Sequence, residues 1–144
     1  MNRDERNREA DEPKIEIRTD SAPVTRRLPN FPNTEELYWT SRQLEEESIG
    51  SSPYELTVWA KMKKQTFFEF VEKIPTVQDT TFVPEFTPEQ LENEYNWKKL
   101  DKDYVSEHHV FGESFEVSKL YVTELDVYID TEHLVMYVRV VTAT

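Results

Sequence analysis

The amino-acid sequence predicts an α+β fold: an antiparallel sheet that ends in a three-strand C-terminal meander, with about three helices packed on it. Three observations carry this expectation. Residues 54–64 alternate with a period of two, later segments open with helix-capping residues, and the last forty residues hold three consecutive runs rich in β-branched and aromatic side chains.

Taken in order, residues 1–12 combine dense mixed charge with no apolar period, which predicts disorder. Lys14-Ile15-Glu16-Ile17-Arg18 alternates and suits a short edge strand. Pro23, Pro29 and Pro32 then favour extended or turn backbone, so residues 1–32 are expected to form a mostly disordered arm. A single acidic α+β domain should occupy 33–144. Its first element is expected to be a helix over 34–48. Asn33 or Thr34 can cap it, Glu35 and Glu36 suit the positive end of the helix dipole, and Gly50 follows the last turn. Its apolar face, with Leu37, Tyr38 and Leu44, is thin.

In 54–64, Tyr54, Leu56, Val58, Ala60 and Met62 share one side of a strand, and Glu55, Thr57, Trp59, Lys61 and Lys63 share the other. The period changes at Thr66, which forms a capping box with Glu69. Phe67, Phe70, Val71 and Ile74 then recur at helical spacing up to Pro75. A further helix is expected from Thr87-Pro88-Glu89-Gln90, with proline at the first helical position, to about Leu100. Leu91, Tyr95 and Trp97 would face inward.

The meander should consist of Tyr104–Phe111, Phe115–Asp130 and His133–Thr142. With Thr131-Glu132 as the last turn, Ile129 would face Leu134, Val127 would face Met136, Leu125 would face Val138 and Thr123 would face Val140. On the other side Glu124 would meet Arg139 and Asp126 would meet Tyr137. Thr-Glu is a poor pair for a two-residue turn, so a longer loop remains open. Gly112-Glu113 would form the preceding turn, with Val110 opposite Phe115 and His109 opposite Glu116.

The net charge of −12 is unevenly spread. Residues 1–33 hold seven acidic and seven basic side chains, whereas 34–144 hold 22 and 10 and so carry all of it. Such a domain is repelled by phosphate backbones, which argues against direct nucleic-acid binding and for either simple solubility or a basic protein partner. There are no cysteines, no apolar stretch near membrane length and no apolar signal segment after Met1. A cytoplasmic location without membrane association is therefore expected.

With only Gly50 and Gly112, no phosphate-cradling loop or dinucleotide fingerprint can be built, and the G-x-S-x-G nucleophile elbow is missing. Glu107, His108, His109, Glu113, Asp130 and His133 are the metal-capable residues. On a strand, however, His108 and His109 would point to opposite faces, so no metal or cofactor site is expected. The carboxylate runs Glu45-Glu46-Glu47 and Asp101/Asp103 suit solvated faces, and nothing selects a catalytic pair among them.

The outward face of the C-terminal hairpin is the candidate site. It would set Glu124, Asp126 and Asp130 beside Tyr128 and Tyr137, a mixture suited to a protein interface unless another segment covers it. Trp39 and Trp59, both off the apolar stripes, would add to such a surface. The segment Thr25-Arg26-Arg27-Leu28-Pro29-Asn30-Phe31 resembles the short basic-x-leucine docking peptides of eukaryotic cell-cycle kinase complexes. The resulting expectation is a non-enzymatic acidic protein-binding module, such as an inhibitor, immunity-type antidote, adaptor or regulatory subunit, with a nucleic-acid mimic as a special case. The alternatives are an assembly subunit, self-associating through a strand edge, and a small α+β enzyme with a cup-shaped pocket.

Overall fold

The alternation in 54–61 does build a strand, and five others join it. The structure is a computed structural model and describes residues 16–43, 54–79, 81–112 and 121–143. Its strands are β1 (Glu36–Gln43), β2 (Tyr54–Lys61), β3 (Thr76–Asp79), β4 (Lys98–Leu100), β5 (Tyr121–Asp130) and β6 (Val135–Ala143). They form one antiparallel sheet in the order β1-β2-β6-β5-β4-β3. Three helices complete the described fold, α1 (Ala22–Arg27), α2 (Lys64–Val71) and α3 (Lys102–Glu107), with a 3₁₀ turn at Glu89–Leu91. The class is α+β, and β4-β5-β6 is the C-terminal meander. No helix among the described residues is long and apolar enough to cross a membrane.

Both faces of the sheet are covered, so β2 is buried at every position from 55 to 60. One face carries the main core, in which Leu56, Val58 and Ala60 of β2 meet Met136, Val138 and Val140 of β6 and Leu125, Val127 and Ile129 of β5. The helices supply Val24, Phe67, Val71 and Val105 to it. The opposite face carries a second, aromatic layer centred on Trp59 and Tyr137.

The expected helix over 34–48 is a strand where it is described, because Leu37 and Trp39 turn to the main core while Tyr38 and Thr40 face the other way. Residues 44–48 lie outside the described residues. The expected helix over 87–100 shrinks to the 3₁₀ turn, after which the chain runs extended into β4. The expected strand Tyr104–Phe111 is instead α3. The Asp101 carboxylate accepts the Tyr104 N–H at 2.9 Å and so caps the helix. Helix α2 begins at Lys64, ahead of the expected capping box, and has no side-chain cap; Glu69 accepts from Gln65 instead, at 2.8 Å.

The hairpin facing is as expected, but its register is shifted by two. Leu125 pairs with Val140, Val127 with Val138 and Ile129 with Met136. The connection is four residues, Thr131–Leu134, rather than two. Leu134 adopts a left-handed φ of 61°, and Asp130 caps the turn by accepting the His133 N–H at 2.7 Å.

The boundary expected at residue 33 does not separate an arm from a body. Arg18 and Trp39 exchange two backbone hydrogen bonds, each 2.8 Å, as an isolated antiparallel bridge. Val24 and Leu28 are buried in the main core, and Phe31 stacks on Phe111. Leu28 is 1% exposed, so the segment resembling a docking peptide presents no leucine to a partner. The disorder expected for 1–12, Lys14 and Ile15 of the expected edge strand and the partners Phe115 and Glu116 beyond Gly112 fall on residues outside those described, whereas Arg18 of that expected strand does bridge to Trp39.

Candidate functional site

The face of the sheet away from the helices collects the residues expected to bind a partner, and it divides into an aromatic half and a charged half. In the aromatic half, antiparallel pairing sets Trp59 beside Tyr137 and Tyr137 beside Tyr128. Residues 81–97 connect β3 to β4 and lie over these rings like a strap. From 81 to 88 the strap alternates: Phe82, Pro84, Phe86 and Pro88 turn inward, while Val83, Glu85 and Thr87 are exposed. Phe82 stacks on Tyr128 at 3.7 Å and 6°, and Trp59 packs against Phe86, Tyr95 and Trp97.

Three hydrogen bonds pin the strap to the sheet. The Trp59 indole N–H donates to the Phe86 carbonyl at 2.7 Å, and the Glu85 N–H donates to the Tyr137 hydroxyl at 3.2 Å. The Asn96 N–H donates to the Asp130 carboxylate at 2.7 Å. Within the strap, the Tyr95 hydroxyl donates to the Leu91 carbonyl. Burial pushes the Tyr137 phenol up to about 12, outweighing the opposing pull of the Glu85 N–H. Burial also works against the Asp130 carboxylate, but the N–H groups of Asn96 and His133 and the His133 ring together hold it below its ordinary value.

The charged half is a ladder crossing the sheet. The Glu55 carboxylate, only 2% exposed, accepts from Arg42 Nε at 2.7 Å on β1 and from Arg139 Nε on β6. Arg42 also pairs with Glu85 of the strap at 3.0 Å. Arg139 reaches Glu124 at 3.3 Å and Asp126 at 3.7 Å on β5, and Asp126 in turn meets Lys99 at 3.3 Å and Lys102 at 3.5 Å. Four carboxylates therefore face four cations, and the ladder is neutral within itself.

This arrangement decides where the five expected binding residues stand. Tyr137 and Asp130 are buried, at 2% and 1% exposure, and hold the strap. Tyr128 is half-buried under Phe82, and Asp126 is half-buried between cations. Glu124 alone is exposed. Trp39, Trp59 and Trp97 are all buried, so none is a free recognition ring. Sequence reasoning missed the strap itself. The period of two in 81–88 was its signal, masked by prolines that argue against a strand.

The histidines do not converge. His108 follows α3, stacks on Tyr104 and lies 3.1 Å from the Tyr104 carbonyl, while His109 has a left-handed φ of 46°. The expectation that a strand would point them apart is thus replaced by a helix end. His133 binds Asp130 at 3.0 Å. Among the described residues no three side chains of metal-ligating type come together. Two surface depressions, one along Thr34–Tyr38 and one along the outer side of α2, are wide open to solvent. Comparison of the chain with protein-family models, with curated proteins and with solved structures finds no match.

Proposed function

We propose that the chain is a non-enzymatic, acidic protein-binding module that engages a basic partner, as an inhibitor, antidote, adaptor or regulatory subunit does. The observation that carries this reading is the strap. Residues 81–97 hold Glu85, Glu89, Glu92 and Glu94 and no cation. Of these, Glu89, Glu92 and Glu94 are exposed, and none has an ion-pair partner among the described residues. Glu124 and Asp126 of the hairpin are already neutralised by the ladder, whereas the strap's outer surface carries unspent negative charge. Unpaired exposed charge costs little in the free protein and speeds encounter with a surface of opposite sign.

The test is affinity capture with the full chain, followed by association kinetics on the captured protein. The expected result is a basic partner whose association slows several-fold when Glu89, Glu92 and Glu94 are together replaced by glutamine. Raising salt, which shortens the screening length from about 10 Å at 0.1 M, should slow the parent in the same way. Association that is indifferent to both changes would place the interface elsewhere.

A further inference from the structure

We infer that the strap is a flap, which swings off the sheet as a unit while the main core stays folded, and so uncovers an aromatic face that the closed protein hides. This goes beyond the binding reading and does not depend on it.

The topology makes such a motion cheap. The strap is the connection between two neighbouring antiparallel strands, with Asp79 paired to Lys98 and Thr76 to Leu100. Both its ends therefore leave from one root at the sheet margin, and lifting it unthreads no other element. Its only regular structure is the three-residue 3₁₀ turn Glu89–Leu91. Its outward positions, including Val83, Glu89, Gln90, Glu92 and Glu94, are solvent-exposed. A segment with few backbone hydrogen bonds and half its side chains in water lies at the low end of local stability.

The core that must survive the motion is separate. The main core and the aromatic layer are two clusters on opposite faces of the sheet, and the strap contributes only to the second. The flap is held shut by the ring packing on Trp59 and Tyr128, by the three pins from Phe86, Glu85 and Asn96, and by the Arg42–Glu85 ion pair. Once it opens, Trp59, Val135 and Tyr137, each at most 2% exposed in the closed form, face water together.

The chain has no cysteine, so single introduced thiols report on each face. Val135 lies under the strap and Val138 lies in the main core, on the same strand and equally buried. In the full chain under native conditions, a dithionitrobenzoate reagent should modify Val135→Cys about a hundredfold faster than Val138→Cys, after each rate is normalised to its unfolded value. The Val135→Cys rate should also be nearly flat in low urea, whereas the Val138→Cys rate should climb with the global unfolding transition. Adding Phe82→Ala, which removes the strap's ring from Tyr128 and leaves the hairpin turn intact, should raise the Val135→Cys rate selectively. Equal rates with equal urea dependence, or a rise of the same factor at both thiols with Phe82→Ala, would show one cooperative unit and overturn the flap.

Discussion

Replacing Glu55 with glutamine keeps the side chain's shape and removes only its charge, at a point where three neighbouring strands are tied together. The carboxylate is 2% exposed and accepts from Arg42 on β1 and Arg139 on β6. Each charge-assisted bond that becomes neutral loses about 1 kcal/mol. Arg42 is 59% exposed, so solvent recovers about half of its share, while Arg139, at 30%, keeps most of it. The sum is about 1.5 kcal/mol, or a fall of about 5 °C in Tm for a chain of this length. Urea unfolding followed by tryptophan fluorescence reads this directly. Pairing Glu55→Gln with Arg139→Gln in a double-mutant cycle should show a coupling of about 1 kcal/mol. Because Glu55 is out of solvent, added salt should leave most of the difference in place. A Glu55→Gln variant within about 0.5 kcal/mol of the parent, the range of an ordinary surface change, would refute the claim that this carboxylate clamps the sheet.

Leu125→Asp places an unpaired charge in the main core against Val140 and should cost at least about 3 kcal/mol, read as loss of soluble protein or collapse of the urea midpoint. Leu28→Ala should cost about 3 kcal/mol by leaving a cavity beside Val24, and a value near zero would return α1 to the status of an arm. Asp130 is held below its ordinary value, so its contribution is complete above about pH 4 and drains away as pH falls through the folded value. Denaturation midpoints between about pH 6 and pH 2 should therefore fall more steeply for the parent than for Asp130→Asn. Gly112→Ala should cost about 1–2 kcal/mol, because φ is +85° and a Cβ would come within 3.1 Å of the Asn30 side chain.

The sequence was most legible where one local rule acted alone. The alternation of β2 and the inward set Leu125, Val127 and Ile129 follow from a period of two against a buried face. The register slipped because a two-residue turn was the only tight solution, whereas the chain spends four residues and lets Asp130 and Leu134 shape them. Near 34–48, capping residues spoke for a helix, but Leu37 and Trp39 gain more by lying flat on the sheet. Near 104–111, the β-branched and aromatic Tyr104, Val105, Val110 and Phe111 spoke for a strand and hid a short helix started by Asp101. The candidate face was legible as a mixture of rings and carboxylates, and a covering segment was one of the two readings it left open. The cover's identity was not, because the strap's order comes from ring packing at long sequence separation rather than from any local propensity.

The strand order carries a consequence for how the molecule is assembled. Strand β6, the last described in the chain, sits in the middle of the sheet between β2 and β5. Until its residues leave the ribosome, β1-β2 and β3-β4-β5 are two fragments with no pairing between them, each offering an open edge and half of an apolar face. Closure of those edges waits for the single insertion of β6, joining segments as distant as Leu56 and Val140. Such distant pairing slows folding and lengthens the interval in which the edges are bare. Shielding of the nascent chain should matter most in that interval, and a fragment ending before Val135 should aggregate rather than fold.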